Sequence, residues 1–197
     1  MNTEADRLER LWSGSFGDEY THRNNQHFKQ RKDFWIRLCT QLKLKRVLEV
    51  GCNACGNLKW IDGQAEAFGV DINRKALEVA RVAWPSLNLI YAVARDLPFK
   101  DGFFDLAFTC GVLIHQPAES LKQVMGEIVR CSNRYVLAME YYAAQREEIP
   151  YRKQEGALFR DDFGGIYQRE FKLKLVEAGR LTMEDGFDDV TYWVLMK

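Results

Sequence analysis

The sequence lacks the marks of several large protein classes. Its 197 residues carry 28 Lys+Arg against 28 Asp+Glu, so no net charge is left for the basic footprint that bulk nucleic-acid binding requires. No apolar run is long enough to span a bilayer, and the opening MNTEADRLER has no basic-then-apolar signal pattern. The expectation is a soluble, cytoplasmic chain with no nucleic-acid and no membrane partner. The five cysteines (Cys39, Cys52, Cys55, Cys110, Cys131) are odd in number and scattered, which suits free thiols in a reducing compartment. Cys52 and Cys55 form a C-x-x-C, but no second C-x-x-C or H-x-x-H completes a metal site. They are read as small loop residues, and no metal is expected. Internal repeats and low-complexity tracts are absent, and the length suits one domain with a substantial core.

What is present is organised around VLEVGCNACG, residues 47–56. A short apolar run is the pattern of a buried parallel strand. Gly51 directly after it allows a tight bend and a close ligand approach. The helix expected to follow offers free N–H groups to that ligand. A second anchor, Asp71, ends the segment FGVDI twenty residues beyond Gly51. In a nucleotide-binding βαβ unit, an acid at this spacing takes the ribose hydroxyls. NAD(P) and S-adenosylmethionine both fit such a pattern. Asn53 and Cys55 stand where further glycines would admit a pyrophosphate, and Glu49 would repel one while attracting a methionyl ammonium. The charges favour S-adenosylmethionine, with S-adenosylhomocysteine as product.

Residues 1–24 begin with an amphipathic turn (Leu8, Leu11, Trp12) and break at SGSFGDEY; they are read as a flap or lid over the pocket of a domain covering 25–197. A helix is expected from Asn25 to Leu42, with Lys29, Arg31, Lys32 and Arg37 on a solvated face. Strands are expected at 46–51, 67–72, 87–92, 105–110 and 134–140. Helices are expected from about Cys55 through Ile61, at 73–84 capped by Asn73, and after Pro117. Residues 143–165 read as a long polar loop, and the two C-terminal strand patterns, 171–181 and 190–197, as an antiparallel hairpin. Alternating strands and helices imply an α/β, doubly wound, mostly parallel sheet.

Ligands in such sheets sit at the carboxyl ends of the strands. That gathers Glu49–Gly51, Asp71 with Ile72, Val93–Arg95, and Cys110–Val112 around one crevice. His115 follows closely, poised near neutral pH. Methyl transfer from a sulfonium needs an aligned nucleophile and exclusion of water. A hydroxyl nucleophile also needs a base, for which His115, Glu140 and Tyr141 are candidates. Tyr20, Arg23, Glu140, Tyr141, Tyr142, Arg152 and Arg160 are candidate acceptor contacts, since aromatics and arginines suit a sugar or a carboxylate.

At these residues the chain resembles the class I S-adenosylmethionine-dependent methyltransferases. More narrowly, it resembles the pseudaminic acid biosynthesis-associated methylases. The stretches FGDEYTHRN, VLEVGCNACGNL, FGVDIN, LPFKDGFFDLAFTCGVLIH, EIVRCSNRYVLAMEYY, EIPYR, LFRDDFGG and DDVTYWVLMK carry that resemblance. It implies a seven-stranded Rossmann-like methyltransferase fold with a reversed final hairpin. By the same resemblance Glu49 and Gly51 bracket the methionyl group, Asp71 holds the ribose, and Ala94 and Arg95 meet the adenine edge. Cys110 and Gly111 line the sulfonium side, and Asn53 is normal for the subgroup. Val93 departs from the pattern, standing where many such enzymes carry an acid or polar residue near adenine.

The expected activity is methyl transfer to an O or N atom of a small bacterial metabolite, an acidic sugar or nucleotide-sugar. Methylation of a peptide or other natural product is one alternative. A non-catalytic scaffold that keeps the cofactor fold is another, and an NAD-dependent oxidoreductase is the most distant.

Overall fold

In the computed structural model, which describes residues 3–24 and 28–197, the chain opens on two short helices, α1 (Glu4–Ser13) and α2 (Ser15–Asn24). Thr3 and Asp6 close a reciprocal capping box at the start of α1. The helix expected from Asn25 begins at Arg31 as α3 (Arg31–Leu42) and stops where Lys43 turns left-handed; residues 25–27 lie outside the described residues. Alternation then follows: β1 (Arg46–Val50), α4 (Leu58–Ile61), β2 (Glu66–Asp71), α5 (Arg74–Ala83), β3 (Asn88–Tyr91) and β4 (Phe104–Cys110). A 3-10 turn (Leu113–His115) leads to α6 (Ala118–Cys131) and β5 (Ser132–Glu140). The small pair β6 (Glu147–Glu148) and β7 (Phe159–Arg160) precedes α7 (Phe163–Phe171), β8 (Lys174–Leu181) and β9 (Val190–Met196).

The main sheet has seven strands in the order β3-β2-β1-β4-β5-β9-β8. Strands β3 through β5 pair in parallel, whereas β9 is antiparallel to both β5 and β8, so the final hairpin is reversed as expected. The order reverses direction between β1 and β4, the place where such sheets bind ligands.

Adjacent residues along a strand point to opposite faces, and the two cores follow that alternation. Val47, Leu137 and Val194 face α3, α4 and α5; Leu48, Val136 and Trp193 face α6 and α7. Trp35 of α3 is 0% exposed, with its ring 4.6 Å from that of Phe108 on β4.

Two elements differ from the sequence reading. Where a break was expected at SGSFGDEY, α2 forms; the corner at Gly17 has no room for a Cβ between the Trp12 carbonyl and Asn73. The stretch read as a loop to residue 165 contains the start of α7, capped by Asp162. Its Gly164 lies directly against the Trp193 ring, which lets the helix approach β9 closely.

Removing the Trp35 side chain empties the centre of one core. Trp35→Ala is expected to cost about 3–5 kcal/mol in urea denaturation. Leu175→Ala, on the exposed edge strand, should change stability by no more than about 0.5 kcal/mol.

Candidate functional site

The carboxyl ends of β1, β2 and β4 open into a cavity of about 560 Å³. Gly51 starts its floor, at φ 76, with its N–H and that of Cys52 both donating to the Val70 carbonyl at the end of β2 (2.8 and 3.0 Å). Asn53 and Cys55 continue the bend with φ of 44 and 62, in the left-handed conformation that glycine adopts more readily. Helices α1 and α2 supply one wall through Leu8, Trp12, Tyr20 and Thr21. The segments around Tyr151 and Phe187 supply another.

Glu49, only 2% exposed, accepts from Asn57 Nδ2 at 2.7 Å, while its Oε2 is buried with no partner. Burial pushes this carboxyl up to about 8, against the opposing pull of Asn57 and the Arg31 charge. Asn57 Oδ1 in turn accepts from Arg31 Nη1 (3.1 Å). Arg31 Nε donates to the Gly186 carbonyl (2.7 Å), and the guanidinium lies 4.6 Å from the Phe187 ring centre. Arg31 therefore lines the cavity rather than a solvated face.

Asp71 Oδ2 accepts from the Asn53 N–H and Oδ1 from the Asn73 N–H, both at 2.7 Å. Burial raises this carboxyl above its ordinary range, and those backbone bonds pull it back. Each carboxylate oxygen has two lone-pair sites, so one on each stays available to a ligand hydroxyl.

At the other end, the carboxylate of Glu140 accepts from the Val112 and Ile114 N–H groups and fixes the 3-10 turn that carries His115. His115 is 8% exposed, and its Nδ1 lies 2.6 Å from the Ala157 carbonyl. A carbonyl only accepts, so Nδ1 holds the proton and Nε2 keeps its lone pair. Its ring is 4.4 Å from Trp12 and 5.4 Å from Tyr151. Burial lowers its pKa to about 4, so the imidazole is neutral at pH 7.

Tyr20 and Tyr141 also line the cavity. Burial pushes Tyr141 up to about 12 and raises Tyr20 further. Both are phenols at neutral pH: hydrogen-bond donors, not bases. The thiol of Cys110 is likewise pushed up to about 12 by burial.

Of the residues singled out in the sequence, Tyr20, Glu49, Gly51, Asn53, Asp71, Ile72, Ala94, Cys110, Gly111, His115, Tyr141 and Arg152 share this cavity. Arg95, Arg23 and Glu140 are not among the residues that line it. Arg95 pairs with Asp6 and Glu9 of α1 (2.6 and 2.8 Å), and Arg23 pairs with Glu19. Glu140 is wholly enclosed beneath the turn. Tyr142 is exposed beside Trp193, and Arg160 pairs with Glu147. The sequence reading missed Arg31, Asn57, Tyr151 and Phe187 as cavity residues. They come from separate segments, and of these only Asn57, in VLEVGCNACGNL, and Tyr151, in EIPYR, lay in stretches that carried a signal. Among the described residues no group of three or more His, Cys, Asp or Glu is placed to hold a metal ion, and no helix is long and apolar enough to cross a membrane.

Residues 47–134 match the family described as a methyltransferase domain. An O-methyltransferase, cnsE, of Penicillium expansum is 29% identical over 104 residues, a match covering 48% of this chain and 37% of that protein. The chain thus spans little more than a third of that relative's length. Among solved structures, the 1,6-didemethyltoxoflavin-N1-methyltransferase of Burkholderia thailandensis, with bound 1,6-didemethyltoxoflavin and S-adenosylhomocysteine, superposes with a TM-score of 0.75. It is 11% identical and the match covers 99% of this chain and 91% of that one. The magnesium protoporphyrin IX methyltransferase of Synechocystis PCC 6803, with bound S-adenosylmethionine, gives 0.71 at 12% identity over 99% and 97% of the two chains. Residues 47–134 thus match a methyltransferase domain, and the chain shares its fold with methyltransferases solved with S-adenosylhomocysteine or S-adenosylmethionine bound.

Proposed function

We propose that the chain moves a methyl group from S-adenosylmethionine to an oxygen or nitrogen of a small metabolite, an acidic sugar or nucleotide-sugar. One observation carries the reading. A single cavity unites a buried, partnerless carboxylate oxygen (Glu49 Oε2) with a ribose-type acid (Asp71) at the ends of adjacent parallel strands, and a neutral histidine lines the same cavity.

The residues fit the cofactor. Glu49 Oε2 is placed for an ammonium, and the neighbouring Arg31 guanidinium for the methionyl carboxylate. The Asp71 oxygens suit the two ribose hydroxyls. A Cβ on Gly111 would meet only Ile114, at 3.9 Å, which leaves room beside Cys110 for the sulfur side. When bound, the cofactor supplies a methyl group already activated on a sulfonium. The chain's work is then alignment and exclusion of water. His115 Nε2 takes the proton from an acceptor hydroxyl, and the Ala157 carbonyl holds its tautomer. Tyr20 and Tyr141 donate to acceptor oxygens. Arg152, exposed at the rim beside Tyr151, suits an acceptor carboxylate. The acidic-sugar class is supported by that arginine and by the resemblance of the flap and tail stretches. Arg95 and Glu140 keep positioning roles in this reading, and neither contacts cofactor or acceptor.

Calorimetry with S-adenosylhomocysteine tests the cofactor half. Asp71→Ala and Arg31→Met should each weaken binding about tenfold or more; unchanged affinity in both variants overturns the reading. Incubation with S-adenosylmethionine and a panel of acidic sugars, nucleotide-sugars and short peptides, read by mass spectrometry for a gain of one methyl, tests the acceptor. Methylation of peptides alone would reject the sugar class. With a working acceptor, His115→Gln should lower kcat by about 10²–10⁴-fold and leave the S-adenosylhomocysteine affinity unchanged.

The raised pKa of Glu49 gives a second prediction. Its folded-state value of about 8 lies above the ordinary 4.5, so folding favours the protonated form and stability falls as pH rises toward 8. His115, depressed to about 4, acts in the opposite sense, but only below its ordinary 6.5. Glu140, pushed up to about 7 by burial, acts in the same sense as Glu49 up to that pH. Between pH 7 and 8 the cofactor-free protein should therefore lose stability in urea, by at most about 1.4 kcal/mol per pH unit from Glu49. Glu49→Gln should flatten that slope. Over the same range S-adenosylhomocysteine should bind wild type more tightly as pH rises, because its ammonium favours the ionised acid. A slope that survives Glu49→Gln would show that another group is responsible.

A further inference from the structure

We propose that Asn53 and Asn73 are positioning residues that couple closure of the α1–α2 lid to occupancy of Asp71, an inference that rests on the cofactor reading above. The same two residues face both ways. Their backbone N–H groups hold the two oxygens of Asp71, at 2.7 Å each. Their side chains hold the N-terminal helices. Asn53 Oδ1 accepts from Thr21 Oγ1 of α2 at 2.9 Å. Asn73 Nδ2 donates to Asp18 Oδ1 of α2 at 2.8 Å and to the Trp12 carbonyl at 3.1 Å. Thr21 and Asn73 are both buried, so these bonds are made away from bulk water.

The left-handed backbone of Asn53 fits this role. Glycine would satisfy φ 44 with less strain, but it has no side chain to reach Thr21. Cys55 is also left-handed, yet its side chain is buried in the core around Leu58. Asn53 is therefore the point where the loop exchanges some backbone ease for a contact with α2. Helix α1 has separate fastenings in the Arg95 pairs with Asp6 and Glu9 and in the Ala5 N–H to Glu119. Loosening the asparagine latch would release α2, with Tyr20, and leave α1 tethered. A ligand that draws on Asp71 orders the two backbone segments from which the latch projects. Linkage then requires that lid closure tighten the ligand by the same factor.

Amide hydrogen exchange across residues 15–24, with and without S-adenosylhomocysteine, tests the coupling beside calorimetry on the same samples. Asn53→Gly keeps the φ and the N–H donor to Asp71 and removes the side chain that makes the latch and lines the cavity. Thr21→Val removes the same bond from the lid side, together with the hydroxyl's contact to the Gly17 carbonyl, so the effect common to both reports the latch. In wild type, S-adenosylhomocysteine should slow exchange in α2. Each variant should lose about fivefold of that protection, and its affinity should weaken by about the same factor. The double variant should be no worse than either single one. Binding by wild type with α2 exchange unchanged overturns the coupling and leaves the cofactor reading standing, as do single-variant effects that simply add. No binding by wild type overturns both.

Discussion

The structure depends on one bend. At Gly51 the chain leaves β1 with a positive φ, and the N–H groups of Gly51 and Cys52 converge on the carbonyl of Val70. A side chain at Gly51 would run into Val112, in the loop after β4. The ends of β1 and β2 are thus tied by backbone hydrogen bonds at a single point, with the Val112 side chain from the loop after β4 packed against it. Glu49 is held two residues before the bend on β1. Asp71 is held one residue beyond Val70 on β2. The 3-10 turn with His115 follows β4 by three residues. The spacing of the site's acids and base is a property of the sheet register and this turn, not of flexible side chains.

Charge is what suits the pocket to the cationic ligand proposed for it. A carboxylate buried like Glu49, with one oxygen unsatisfied, costs free energy in proportion to its desolvation. Without a ligand the group escapes that cost by keeping its proton. A positive ligand reverses the balance, and Arg31, two hydrogen bonds away through Asn57, adds an anchor of opposite sign for a zwitterionic end group. A pyrophosphate would gain from Arg31 but would leave Glu49 protonated, so it would draw nothing from that acid, whereas an ammonium gains its full charge. The electrostatics therefore discriminate between the two nucleotide classes that the glycine pattern leaves open.

The part of the cavity proposed to hold the cofactor could be read from the sequence because it is contiguous. Residues 49–73 contain one strand, one bend, one short helix and a second strand, and local pattern is sufficient for each. The sheet class and the reversed hairpin were legible for the same reason. The rest of the cavity is assembled from α1, α2, the turn at His115, the end of β5 and the segments near 151 and 187. No local pattern says that Trp12 meets His115, or that Arg31 turns inward to Gly186 and Asn57. Arg95 is a different case. The resemblance implied an adenine contact, whereas in the structure Arg95 pairs with two carboxylates on α1. The start of α7 was hidden because Gly164 and Gly165 lower helix propensity, and the reason for Gly164 is a tertiary contact with Trp193.

The N-terminal helices join the two halves chemically as well as sterically. Burial is the main cause of the low pKa of His115, and the Trp12 ring from α1 is the aromatic nearest to its imidazole. With the helices seated, the imidazole is held neutral with its Nδ1 proton engaged by Ala157, so Nε2 is a base in the correct tautomer at any pH well above 4. With them displaced, water would reach the ring and its pKa would move back toward the ordinary 6.5. Near neutral pH a fraction of the open form would then carry a proton on Nε2 and could not accept another. In the proposed mechanism, the closure that would exclude water from a methyl donor would also keep His115 unprotonated, and the asparagines beside Asp71 would tie that closure to the proposed cofactor end of the cavity.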